Sequence, residues 1–310
     1  MIENHESMTA KLCSFVRAHH SNNDRDKIFD DYLAFDLMGS DEYCNIRDLI
    51  KNGKCGACES CATQCPYRDK VSRTVHFLAP IPLSREAFAN DIFHEFTQKN
   101  PGCQYVICGA GMDSFLFRNE DPDISVFEVD HPDTQKYKKM RIAQLGWTVQ
   151  KNITFVPVDF SRDNMADKLL AAGFDPARPT LFTILGVTYY LTLEAFEKTI
   201  ELMDILSSGQ SAIILDYPDK MRLDAHTPER VLQLARMTQQ LGEAMSEGFS
   251  FEEMRAVFAR HHFDIQKHLS PKEIQLYYFS NRKDGLTAFD NIHFLYAQKI
   301  GDAGSGVLSA

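Results

Sequence analysis

Long apolar runs are missing from this 310-residue chain. Stretches such as 212–215 fall far short of the ~18 residues that a membrane-spanning helix needs, so no membrane partner is expected. Positive charge is scarce as well. The sum is 33 Lys and Arg against 43 Asp and Glu, a formal net charge of −10. A surface of that sign repels a phosphate backbone, so no nucleic-acid partner is expected either. The densest basic group, Lys136, Lys138, Lys139 and Arg141, falls within one expected helix and reads as a solvated face. The opening Met1-Ile2-Glu3-Asn4-His5-Glu6 lacks the apolar stretch of a secretory signal, and the expected location is cytoplasmic. In that reducing compartment eight cysteines imply free thiols, a metal site or redox chemistry rather than a disulfide framework. Internal repeats and low-complexity segments are absent too. Disorder is excluded by what is abundant: 44% of residues are hydrophobic, with 22 Phe and 11 Tyr, enough to fill a core.

From residue 104 onward short apolar runs alternate with helical patterns. Strands are expected at 104–108, 125–129, 153–157, 180–185 and 211–215, with helices at 132–146, 163–173 and 193–208 between them. That alternation specifies an α/β fold with a doubly wound parallel sheet. Closing strands at 263–269 and 291–298 complete a seven-stranded, mostly parallel, Rossmann-like sheet. Ahead of it, helical spacing appears in Leu12, Phe15, Val16 and His19, and again over 24–38 in Ile28, Phe29, Tyr32, Leu33 and Leu37. Ser84 reads as the N-cap of a helix from Arg85 to Phe96. Residues 219–260 read as mostly amphipathic helix, with Leu232, Leu234, Met237, Leu241 and Met245 near one face. The expected division is a helical cap over 1–83 containing a cysteine-rich segment at 55–65, a ligand-binding domain over 84–300 with a helical lid at 219–260, and a flexible tail at 301–310.

The sharpest functional signal is Cys108-Gly109-Ala110-Gly111-Met112-Asp113, a glycine turn after the first strand. Such a turn lets backbone approach a ligand closely and leads into a helix with free N–H groups. Asp130 ends the second strand, nineteen positions after Gly111, where an acid can accept both ribose hydroxyls of a nucleoside. A dinucleotide fingerprint needs a third glycine where this chain has Ser114, which argues against NAD or FAD. With the later Asp159, these features point to an adenosyl ligand; a purely structural glycine turn is the alternative.

The stretch Tyr105-Val-Ile-Cys-Gly-Ala-Gly-Met-Asp-Ser-Phe-Leu-Phe-Arg118 resembles the glycine motif of the leucine carboxyl methyltransferase family, which includes polyketide carboxyl and O-methyltransferases. Val126-Phe-Glu-Val-Asp-His-Pro132, Val158-Asp159-Phe160 and Gly186-Val-Thr-Tyr-Tyr-Leu191 continue the likeness in order and spacing across 84–217. The resemblance implies a class I S-adenosylmethionine-dependent methyltransferase acting on an oxygen, carboxylate or hydroxyl, of a small molecule or peptide. It also implies roles. Gly109 and Gly111 lie beside the methionine part, Asp130 takes the ribose, and Asp159 and Phe160 flank the adenine. Arg85, in Ser84-Arg-Glu-Ala-Phe-Ala-Asn-Asp91, resembles the arginine that pairs with the ligand carboxylate; a surface ion pair is the alternative. One position departs from the family pattern. Leu185 stands where a Glu usually precedes the Gly-Val block and faces the ligand, which leaves the partner of the ligand ammonium open.

A sulfonium methyl is already a strong electrophile, so the protein has mainly to align a nucleophile. Tyr189, Tyr190, Asp216 and Tyr217 are candidates at the expected strand ends, with packing as the alternative role for each. His131 reads either as a base or as part of a helix start. His19-His20 and His261-His262 lack metal-like partners and read as surface or packing residues. Cys55-x2-Cys58-x2-Cys61-x3-Cys65-Pro66 reproduces the spacing of an iron–sulfur run without its second half. A single site would use the first three cysteines with either Cys65 or the outlying Cys44 as fourth ligand; zinc is a second possibility, and metal-free thiols are the alternative. Two other functions compete: a nicotinamide or flavin oxidoreductase with a Cys-bound metal centre, and a non-catalytic adenosyl-binding protein. Nothing in the sequence sets the oligomeric state.

Overall fold

The computed structural model describes residues 7–53, 69–160, 162–220 and 227–301. The cysteine run at 55–65 and the tail beyond residue 301 lie outside the described residues. Among the described residues five helices come first: α1 (Met8–Asn23), α2 (Ala34–Met38), α3 (Ser40–Lys51), α4 (Lys70–Leu78) and α5 (Pro80–Lys99). Then follow β1 (Gln104–Cys108), α6 (Phe115–Arg118), β2 (Ser125–Asp130), α7 (Pro132–Leu145), β3 (Ile153–Pro157), α8 (Met165–Ala171), β4 (Thr180–Ile184), α9 (Leu193–Ile205) and β5 (Ala212–Pro218). The chain closes with α10 (Glu229–Gln240), α11 (Phe251–Arg260), β6 (Phe263–Leu269), α12 (Pro271–Ile274) and β7 (Ile292–Lys299).

The sheet has seven strands in the order β3-β2-β1-β4-β5-β7-β6. Strands β1 to β5 pair in parallel, and β7 runs antiparallel to both β5 and β6. The expected fold is therefore what the chain adopts. The winding reverses between β1 and β4, and in such a sheet the crevice outside the carboxyl ends at that switch is the natural ligand site. Both faces are covered. Tyr105, Ile107, Leu181 and Ile214 pack with Phe88, Phe93 and Phe294 on the side of α1, α4, α5 and α10. Val106, Phe127, Phe182, Ile213 and Leu215 pack with Phe196 and Phe258 on the side of α8, α9 and α11. Burial on both faces is why these strands read as continuous apolar runs.

Three helical expectations change. Over 24–38 only Ala34–Met38 is helical. Asp24 ends α1 in an extended conformation, and the following loop carries Asp31 inward, where Arg17 binds it at 2.8 Å. Ser84 is no N-cap: α5 starts at Pro80 and runs through the 83/84 boundary. Pro80 and Pro82 occupy the first turn, where no intrahelical acceptor awaits an N–H, and the Ser84 hydroxyl donates to the Pro80 carbonyl. The 219–260 stretch holds two helices on opposite faces of the sheet. Leu234 and Met237 of α10 join the first core, whereas Met254 and Phe258 of α11 join the second. Gly242 and Gly248, both at φ +78°, lie in the loop that separates them.

Phe182 is fully buried on β4. Phe182→Ala is expected to destabilise the fold by about 3–5 kcal/mol, read as a shift in the chemical-denaturation midpoint. A shift under about 1 kcal/mol would mean the second core is not packed as described.

Candidate active site

A cavity of about 720 Å³ opens at the β1/β4 switch point. The glycine turn forms its floor. Gly109 and Gly111 sit at φ +73° and +51°, and a Cβ at Gly109 would lie 2.5 Å from Val187 Cγ2. Only glycine fits there, and its bare backbone lets Val187 close against the turn. Asp130, at the end of β2, lines the same cavity. Its Oδ2 accepts the Gly111 N–H at 2.5 Å and its Oδ1 accepts the His131 N–H at 2.6 Å. Burial raises its pKa, and those two N–H groups pull it back. The acid thus pins the turn it was expected to serve. His131 is the N-cap of α7, with Nδ1 accepting the Asp133 N–H at 3.3 Å, and it is not among the lining residues.

Arg85 lines the cavity too; it lies 3.4 Å from Asp216 and is buried rather than at the surface. Asp216 is fully buried; its other bonds come from the Gly186 N–H and the Tyr189 hydroxyl, both at 2.7 Å. The guanidinium packs over Gly186, where a Cβ would lie 2.6 Å from Nη1. Burial opposes the charge on Arg85, but Asp216 together with Cys13, Tyr189 and Glu86 outweighs it and the pKa is raised. The Arg85 Nε is buried without a hydrogen-bond partner among the described residues. Leu185 follows β4 directly and lines the cavity, half-buried.

The tyrosine candidates separate. Tyr189 lines the cavity, and burial together with Asp216 raises its pKa well above the ordinary value. Tyr190 lines it too, donating to Thr9 Oγ1 at 3.0 Å, and burial raises its pKa as well. Tyr217 faces the second core and pairs with His268 Nε2 at 2.8 Å, away from the cavity. Of the two residues expected beside adenine, half-exposed Phe160 lines the cavity while Asp159 does not; Asp159 sits 3.5 Å from Arg162. The histidine pairs are bound elsewhere: His19 to Tyr43, His20 to Asp24 and His262 to Asp204. His261 lies near Glu197. Lys138 corrects the expectation of a solvated basic face, because it is 1% exposed and pairs with Glu128 at 2.6 Å.

Sequence reasoning missed the charge network behind the turn. Arg17 of α1 binds Asp31 and donates to the Met112 carbonyl, both at 2.8 Å. Ser114 donates to Asp31, and Arg118 reaches Ser114 at 2.9 Å and Asp113 at 3.5 Å. So the position of the absent third glycine is filled by a hydroxyl that anchors the turn. Glu86, beside Arg85, lines the cavity, and burial pushes its carboxyl up to about 7. The segment after α10 closes the far side: Glu243 accepts the Met8 N–H at 2.6 Å and the Ser7 hydroxyl at 2.9 Å. The signal for this network was slight, since Arg17 lies between Val16 and Ala18 in a helix and its partners Asp31 and Met112 are distant in sequence.

The family model for leucine carboxyl methyltransferase matches residues 10–204. The chain belongs to the leucine carboxyl methyltransferase family. The match runs from α1 to α9, beyond the motif-bearing stretch. Within this methyltransferase family the chain is 35% identical over 305 residues to YktD of Bacillus subtilis (strain 168), named as an S-adenosyl-L-methionine-dependent methyltransferase; 96% of this chain and 100% of YktD are covered. A Rhodococcus jostii (strain RHA1) protein named in the same way is 35% identical over 147 residues, 46% of this chain and 49% of that protein. Two solved structures share the fold. A DUF574 family protein from Streptomyces avermitilis MA-4680 gives a TM-score of 0.61 at 11% identity, covering 96% of this chain and 100% of that one. A Thermobifida fusca YX protein, named as a methyltransferase, gives 0.54 at 13% identity, covering 97% of each.

Asp216→Ala leaves the Arg85 guanidinium buried without its acid. The expected loss is about 3–5 kcal/mol of stability, measured by urea unfolding. An unchanged midpoint would show that Asp216 does not hold Arg85.

Proposed function

We propose that this chain transfers the methyl group of S-adenosylmethionine to an oxygen, a carboxylate or hydroxyl, of a small molecule or peptide. The observation that carries the reading is that one cavity at the β1/β4 switch point joins the Gly109–Gly111 turn, Asp130 and Arg85. The residues suit the ligand. Gly109 and Gly111 line the cavity with backbone alone, which lets the methionine part approach closely. Each Asp130 oxygen already accepts one N–H and keeps a further lone pair for a ribose hydroxyl. The orphaned Arg85 Nε suits a carboxylate. Phe160 offers an aromatic face to adenine, whereas the role of Asp159 rests on the family resemblance alone. When bound, the cofactor supplies a methyl activated by sulfonium.

The chain's own task is alignment and exclusion of water. Tyr189 and Tyr190 stay phenols at neutral pH because burial raises both pKa values, so they orient rather than accept a proton. A carboxylate acceptor needs no base, being ionised already, and this favours carboxyl over hydroxyl. The family match sets aside the oxidoreductase alternative. Cys55, Cys58, Cys61 and Cys65 are proposed as thiolate ligands for zinc or an iron–sulfur cluster on their spacing alone. Among the described residues no helix is long and apolar enough to cross a membrane; the cytoplasmic location is a proposal from composition.

Incubation with methyl-labelled S-adenosylmethionine and a panel of carboxylic acids, phenols and amines tests the reaction. Label released as methanol by alkali, the mark of a methyl ester, is the expected outcome; alkali-stable label on an amine would refute it, and tight binding without turnover would favour the non-catalytic alternative. Asp130→Ala is expected to weaken cofactor binding roughly ten- to a hundredfold, since hydrogen bonds to a charged group contribute about 1.5–3 kcal/mol. A folded variant that binds as wild type in calorimetry would remove Asp130 from the site.

A further inference from the structure

Glu86 is the one acid of the site whose partner is missing. Helix α5 places it next to Arg85, nine-tenths buried and facing the cavity that the glycine turn and Leu185 also line. Among the described residues its carboxylate takes no hydrogen bond and no ion pair. The three cations that surround it are already engaged. Arg17 of α1 holds Asp31, Arg118 of α6 holds Asp113 and Ser114, and Arg85 lies on Asp216. A buried carboxylate without a donor is costly, and fold-internal partners have gone elsewhere. Its open side is the cavity, so its complement is a cation that arrives there. Leu185, across the cavity, is apolar and can accept no hydrogen bond.

We propose that Glu86 is the acceptor for the ammonium of the ligand's amino-acid end, with Arg85 one residue earlier as donor to its carboxylate. This rests on the methyl-transfer reading and specifies how the site distinguishes a whole amino-acid-bearing nucleoside from the nucleoside alone. Two adjacent residues of one rigid helix then read both charges of a zwitterion.

The electrostatics add a signature. In the ligand-free protein burial raises the Glu86 carboxyl from its ordinary 4.5 to about 7; Asp113 adds to the rise, and Arg17, Arg85 and Arg118 oppose it. Tyr105 of β1 also faces this group. An ammonium at contact distance favours the ionised form, so binding near pH 7 expels a proton. The folded protein holds that proton where the unfolded chain has lost it. The contribution of Glu86 to stability is therefore present below about 4.5 and lost as pH rises through about 7.

The experiment is calorimetry of the full chain at pH 7 in two buffers of different ionisation enthalpy. The probes are S-adenosylhomocysteine, which carries the amino-acid end, and 5′-methylthioadenosine, which lacks it. For the wild type we expect proton release with S-adenosylhomocysteine and none with methylthioadenosine, a measurement that needs no variant. Glu86→Gln should bind S-adenosylhomocysteine at least tenfold more weakly, without proton release, and methylthioadenosine as well as wild type does. Equal affinity of wild type and variant for S-adenosylhomocysteine overturns the proposal, as does an equal loss for both probes or wild-type binding without proton release. A wild type that binds neither probe would instead bring down the methyl-transfer reading itself, and this proposal with it.

Discussion

The buried carboxylate of Asp216 is the point on which the site is built. Fully desolvated at the end of β5, it needs donors, and it takes them from three places: the Gly186 N–H after β4, the Tyr189 hydroxyl in the turn that follows, and the Arg85 guanidinium on α5. Those bonds fix the Gly186-Val187 segment, which packs against the glycine turn. Asp130 performs the matching task at the end of β2, where it holds the Gly111 N–H. In the order β2-β1-β4-β5 the two acids stand one strand outside the switch point on either side. The crevice is thus bracketed by carboxylates that each lock a glycine-bearing loop in place.

Behind this frame lies a second layer of charge that ties the N-terminal helices to the sheet. Arg17, Asp31, Ser114 and Arg118 run from α1 through the loop before α2 to the far end of the glycine turn. Breaking one member of such a buried set exposes the others as unpaired charges, so the helices of residues 7–99 are bound to the site by more than apolar contact. Glu243 ties the start of α1 to the segment after α10 in the same manner, and both ends of that tie line the cavity. This part of the cavity lining is therefore assembled from pieces far apart in sequence.

That distance explains what the sequence showed and what it hid. The parallel strands were legible as short, mostly apolar runs, buried on both faces except at the edge strand β3, and the glycine turn was legible because φ above zero at Gly109 and Gly111 demands glycine locally. Asp130 followed from its place at a strand end nineteen positions after Gly111 and Arg85 from family resemblance, and both line the cavity. Residues 24–38 were misread as helix because Ile28, Phe29 and Leu33 have helical spacing, while the pull of Arg17 on Asp31, which draws the chain into a loop, leaves no local pattern. Lys138 was misread for a similar reason: a lysine among lysines looks solvated until Glu128 is found beneath it. Glu86 stood in plain view next to Arg85, but only the surrounding ion pairs reveal that it has been left without one.

The account's central claim is that the β1/β4 crevice holds an adenosyl ligand with an amino-acid end. A crystal structure of the chain with S-adenosylhomocysteine tests this most directly. The account predicts the ribose hydroxyls on Asp130, the homocysteine over the Gly109–Gly111 turn, and its carboxylate and ammonium at Arg85 and Glu86. A ligand bound outside that crevice, or one with its ribose away from Asp130, would contradict it.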